Sequence, residues 1–169
     1  RGIYLRQRIK KIIIMSDLMD NIKSLRESTG AGYLDCKKAL QENNNEIEKS
    51  IDFLRKKGLA KAVKKSSREA KEGVVGVFMN DKVAVILEIN TETDFAAKNK
   101  IFLDFVDEIG RYALNVNDSF SFTLDDFLNQ SIGGKKISEY FTNIIAKIGE
   151  NIVLRRLSFV SKDSNSEFY

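Results

Sequence analysis

Gly73-Val74-Val75-Gly76-Val77-Phe78-Met79, then Asn80-Asp81-Lys82, then Val83-Ala84-Val85-Ile86-Leu87-Glu88-Ile89: two apolar runs flank a turn-prone triplet. Neither run has a helical period. Their valine and isoleucine content and the short polar break predict a β-hairpin. Upstream the period is different. Leu18, Ile22 and Leu25 recur at helical spacing, with Ser16 or Asp17 available as a cap. Thr29-Gly30-Ala31-Gly32 ends that helix, and its two glycines allow a tight turn with positive φ. A second helix is predicted from about Tyr33 to Glu42, before the turn-prone Asn43-Asn44-Asn45. A third is expected to start at Asn45 with Glu48 at the capping-box position, to line up Ile47, Ile51 and Leu54, and to stop at Gly58 as its C′ residue.

Downstream of the hairpin, Phe102, Phe105, Ile109, Tyr112 and Val116 mark a helix whose aromatic stripe reads as core. Residues 117–134 form a polar connection with a short helix near Leu124–Leu128, and Gly133-Gly134-Lys135 reads as a turn ahead of the next helix. Ile137, Phe141, Ile144 and Ile148 define that helix, closed by Gly149, and Ile152 to Val160 reads as a third strand. The expected fold class is α+β: a three-helix bundle, a basic linker helix, then a three-stranded antiparallel sheet with helices on one face. The expected divisions are 15–58 for the bundle, 59–72 for the linker helix, 73–162 for the α+β subdomain and 163–169 for a tail. Residues 1–14 are basic and apolar and lack any acidic group; with Met15-Ser16-Asp17 as the natural start, they read as a non-native or upstream extension.

Composition narrows the chemistry. The 169 residues are 43% hydrophobic, enough for a core, and include no histidine, tryptophan or proline. The missing histidines remove the usual catalytic triads and the commonest transition-metal ligand. A single cysteine, Cys36, excludes an intramolecular disulfide and a cysteine-rich metal site, and reads as a small apolar residue. No glycine-rich phosphate cradle appears, and the acidic residues are scattered as on a solvated surface. These features argue against an enzyme and imply no cofactor. No apolar run is long enough to cross a membrane. Residues 1–71 carry 18 Lys/Arg against 9 Asp/Glu, a net +9, while residues 72–169 carry 10 against 15, a net −5. Two units with different surfaces are expected.

Between the hairpin and the aromatic helix lies Thr91-Glu92-Thr93-Asp94-Phe95-Ala96-Ala97-Lys98. Two readings compete. In one, Asp94 caps the helix and Phe95 folds back as a hydrophobic staple. In the other, Phe95 stands at a strand-to-helix junction to reach another molecule.

Three stretches in order carry a specific likeness: Leu25-Arg26-Glu27-Ser28-Thr29-Gly30-Ala31-Gly32-Tyr33-Leu34-Asp35-Cys36-Lys37-Lys38-Ala39-Leu40, Glu88 to Asn99, and Ile148-Gly149-Glu150-Asn151-Ile152-Val153-Leu154-Arg155-Arg156. Over about residues 15 to 160 the chain resembles translation elongation factor Ts, the family of guanine-nucleotide exchange factors for elongation factor Tu. The resemblance implies a ubiquitin-associated-like front domain and a core subdomain, both touching elongation factor Tu. It implies that Thr93, Asp94 and Phe95 form the active element, with the aromatic pushed between two helices of the partner's G domain. GDP and magnesium then belong to the partner. It further implies that Leu25, Arg26, Thr29, Gly30, Ala31 and Gly32 dock on the same G domain. Ala96 stands where the family usually has valine, which trims apolar contact but leaves the wedge. Many members continue into a second core subdomain and a helical-hairpin arm; short members keep one subdomain and dimerise, so a homodimer is a second expected partner. Arg1 in place of an initiator methionine, and an ending without clear closure, point to a fragment. The expected location is the bacterial cytoplasm, with an organelle matrix second.

The rival function is nucleic-acid binding by residues 53–71, with eight Lys/Arg against one acidic residue. That segment offers no stacking aromatic beyond Phe53, so direct nucleic-acid binding is not expected. Lys61, Lys64, Lys65 and Arg68 are instead expected to be solvent-exposed on the linker helix. An adaptor built on the three-helix front ranks lower still, because it leaves the core subdomain without a role.

Overall fold

The computed structural model describes residues 17–116 and 123–161. The extension 1–14, the cap at Ser16, residues 117–122 of the polar connection and the tail 163–169 lie outside these. The chain divides into two compact units between Ala60 and Lys61.

The first unit is helical. Helix α1 covers residues 17–29, α2 is Tyr33–Glu42 and α3 begins at Ile47. Ile22, Leu25, Cys36, Ala39 and Leu40 make its core, with Ile47, Ile51 and Leu54 packed against them. The helical spacing read from the sequence thus points these side chains inward. Burial pushes the Cys36 thiol up from its ordinary value, as suits an apolar packing role. An ion pair of 2.6 Å between Lys57 and Asp35 ties α3 to α2.

Two sequence expectations fail at α3. The helix does not start at Asn45. Asn44 and Asn45 both adopt left-handed φ values, 53° and 63°, which asparagine tolerates better than most residues. The Glu46 carbonyl accepts the first helical bond, from the Ser50 amide at 3.1 Å. Nor does Gly58 end the helix: α3 runs Ile47–Lys65, with Gly58 buried inside it. Alanine and lysine on either side of Ala60 sustain the helix, and a turn at Ser66-Ser67 stops it. No separate linker helix spans 59–72. Residues 66–71 form a turn and an irregular stretch.

The second unit is the α+β layer. Strands β1 (Glu72–Met79), β2 (Val83–Thr91) and β5 (Val153–Ser161) form an antiparallel sheet in the order β1-β2-β5. Register aligns Gly76 with Leu87 and Leu87 with Leu157, and shifts between Glu88 and Ile89. Val85, Leu87 and Ile89 face the helices α5 (Lys100–Leu114) and α7 (Ile137–Ile148). Phe105 and Phe141 join those helices edge to face, with centroids 4.9 Å apart. Gly110 permits the close approach of α5 to the sheet: a Cβ there would stand 2.1 Å from the Phe78 ring. A short helix α6 (Leu124–Asn129) adds Phe127 to the core. The Gly133-Gly134 turn closes a two-residue hairpin, β3 (Ser131–Ile132) with β4 (Lys135–Lys136), which the sequence reading did not anticipate. The opposite sheet face leaves Val75, Val77, Met79, Ile86 and Val160 exposed.

Candidate functional site

The junction between β2 and α5 is built in three steps. Thr91 ends the strand fully buried. Thr93 caps a single helical turn, α4 (Asp94–Ala97), its Oγ1 accepting from the Ala96 amide at 3.2 Å. Asn99 then caps α5, accepting from the Ile101 amide at 2.8 Å. Each cap satisfies a donor that a helix start leaves free. The staple reading therefore fails twice. Thr93, not Asp94, is the cap, and Phe95 does not tuck in. The residue is 84% exposed, whereas its neighbours Ala96 and Ala97 are buried. Asp94 is an exposed surface group paired with Lys98 at 2.9 Å. That hydrogen bond holds the Asp94 carboxyl below its usual range.

Glu150 completes the junction from the far end of the sequence. Its Oε2 accepts from the Thr91 hydroxyl at 2.8 Å and from the Glu92 and Thr93 amides at 3.1 Å each. Its Oε1 accepts from the Thr93 hydroxyl at 2.7 Å. Burial by itself would raise this carboxyl, but the hydroxyls of Thr93 and Thr91 and the two amides outweigh it and hold its pKa down. The tie is reciprocal, because Glu92 Oε1 accepts from the Asn151 amide at 2.6 Å. Arg68 lies 3.6 Å from the other Glu92 oxygen, and the Asn151 side chain donates to the Arg68 carbonyl at 2.7 Å. Lys65 donates to the Gly149 carbonyl. Of the four basic residues expected to point into solvent, Arg68 is exposed while also facing Glu92, and Lys65 is half-buried with its ammonium on the Gly149 carbonyl. Lys61 is half-buried, and only Lys64 among the four is exposed without such a contact.

The structure brings the second and third sequence stretches into one constellation and keeps Thr93, Asp94 and Phe95 together on it. Leu25 to Gly32 lie in the first unit. Leu25 is buried in the bundle core, while Arg26, Gly30 and Gly32 are exposed. The Thr29 hydroxyl donates to the Leu25 carbonyl at 2.5 Å and accepts from the Ala31 amide at 3.3 Å, and Gly30 takes φ 67°. Sequence reading quoted Glu150 and Asn151 but gave them no role. The available signal was an acidic-amide pair directly after a helix-ending glycine and ahead of a strand.

These features define a two-unit protein whose α+β unit displays one aromatic on a braced strand-to-helix turn. Residues 92–169 match the family model described as Elongation factor TS. Elongation factor Ts of Campylobacter fetus subsp. fetus (strain 82-40) is 50% identical over 141 residues, which cover 82% of this chain and 39% of that relative. Over these residues the chain is similar to the elongation factor Ts family. It spans about two fifths of the length of that curated relative. Among the described residues no helix is long and apolar enough to cross a membrane.

Proposed function

We propose that this chain binds elongation factor Tu and promotes GDP release from it, with Phe95 as the wedge. The observation that carries the reading is the 84% exposure of Phe95 on a turn capped by Thr93 and anchored by the buried Ala96 and Ala97. A large ring held in water on a fixed backbone has no role in its own core. A partner pocket can take it with little further ordering cost. Thr93 fixes the turn, and the Asp94–Lys98 pair presents a polar rim beside the ring. In the first unit, the exposed Arg26, Gly30 and Gly32 with Thr29 and Ala31 offer a second docking surface, and Leu25 supports it from beneath.

Exchange requires no nucleophile, base or metal on this chain. It requires tighter binding to the nucleotide-free partner than to the GDP-bound one, and GDP must then weaken the complex by the same factor. Burying one phenylalanine contributes about 1.5–3 kcal/mol, and each tenfold of coupling corresponds to about 1.4 kcal/mol. One ring therefore accounts for about one to two orders of magnitude. The test is the release of fluorescent GDP from purified elongation factor Tu, with excess unlabelled GDP, in the presence of this chain. The reading expects acceleration that saturates with chain concentration. Release at the spontaneous rate throughout the titration would reject it.

A further inference from the structure

Neither the family match nor the wedge reading gives Glu150 a task. We propose that Glu150 is the positioning residue of the Phe95 turn: its clasp on residues 91–93 fixes the direction in which the ring is presented. The inference rests on the wedge reading above. Its geometry is a continuous relay. Glu150 Oε1 accepts from the Thr93 hydroxyl at 2.7 Å, and the same hydroxyl oxygen accepts from the Ala96 amide at 3.2 Å. The carboxylate thus orients the oxygen that caps the turn carrying Phe95. Its second oxygen gathers the Thr91 hydroxyl and two consecutive amides, so the segment leaving β2 is held at three points. Glu92 reaches back to the Asn151 amide at 2.6 Å, so the segments on either side of the clasp hold each other. Gly149, at φ 90°, turns the chain out of α7 so that Glu150 can point across. Glu150 acts through Thr93.

The experiment is a double-mutant cycle on catalysed GDP release, using the full chain as wild type, Glu150→Ala, Phe95→Ala and the pair. Loosening of the Thr93 cap through loss of its supporting bonds predicts a slowing of about threefold to tenfold for Glu150→Ala when Phe95 is present. With Phe95 already removed, the same change is expected to have almost no effect. Amide exchange at Glu92 and Thr93 should quicken in Glu150→Ala, while amides of β2 and α5 keep their protection. Equal slowing in both backgrounds would show that Glu150 serves general stability, and slowing in neither would show that it serves nothing in exchange; both overturn the proposal. Should Glu150→Ala fail to fold, Thr93→Val keeps the side-chain shape, breaks the relay and carries the same expectation. If Phe95→Ala alone left release unchanged, the wedge reading would have failed and the positioning role with it. That result is distinct from one in which Phe95→Ala slows release and Glu150→Ala does not.

Discussion

The turn at residues 29–32 and the junction at residues 91–99 both end a regular element and start a helix, yet they are held differently. The first is stabilised from within four residues, by Thr29 on the Leu25 carbonyl and Ala31 on the Thr29 hydroxyl. The second is held mainly by Glu150, 57 to 59 residues away. The first exposes backbone and glycine. The second exposes a ring. Under the proposed function, the docking turn is set locally, whereas the wedge is braced from another part of the fold.

The largest expected effect separates two phenylalanines only seven positions apart. Phe102 is fully buried and Phe95 is exposed. Phe102→Ala should destabilise the second unit by about 3–5 kcal/mol, and Phe95→Ala by no more than about 0.5 kcal/mol, read from urea midpoints. Similar losses at both positions would erase the contrast.

Next comes Glu150. Its folded pKa lies below its ordinary value of 4.5, so the ionised clasp favours the folded state above that pH, and the contribution disappears as pH falls through the folded value. At pH 7, Glu150→Ala should cost about 1–3 kcal/mol, because two hydroxyls and two amides lose their acceptor. The gap between wild type and variant should narrow as pH falls below 4.5. A gap independent of pH would mean that the side chain acts by packing alone.

Gly149→Ala sharpens the same point. Nothing stands within 4 Å of the added Cβ, so the cost is that of a left-handed φ of 90°. About 1–2 kcal/mol is expected, and faster amide exchange at Glu92 and Thr93 should accompany it. Smallest is Thr29→Ala, at about 0.5–1.5 kcal/mol, confined to the first unit. Hydrogen exchange should locate that loss in α1 and α2 and leave the protection of β2 unchanged.

Legibility in the sequence follows the same division. The hairpin, the aromatic helix, the Gly149 stop and the third strand carry their own periods and punctuation, and were readable. So was the exposure of Phe95, because a carboxylate and an aromatic stood together at a junction. Gly58 misled, because glycine near a helix end usually marks a stop, and only packing tells that this one is buried within α3. Asn45 misled, because asparagine serves equally well as a cap and in a left-handed turn. Glu150 stood in a recognisable acidic-amide pair after Gly149, but its partners lie nearly sixty residues away and the pair does not name them. Lys65 looked like a fully solvated charge for the same reason.

The central claim is that Phe95 is presented for a partner and not for this protein's own fold. It is tested most directly by the rate of GDP release from elongation factor Tu with wild type and Phe95→Ala at matched concentrations, alongside their urea midpoints. The account predicts unchanged midpoints and release slowed by about tenfold or more, in line with the burial of one aromatic. A variant that unfolds, or one that stays folded and releases GDP as fast as wild type, would contradict it.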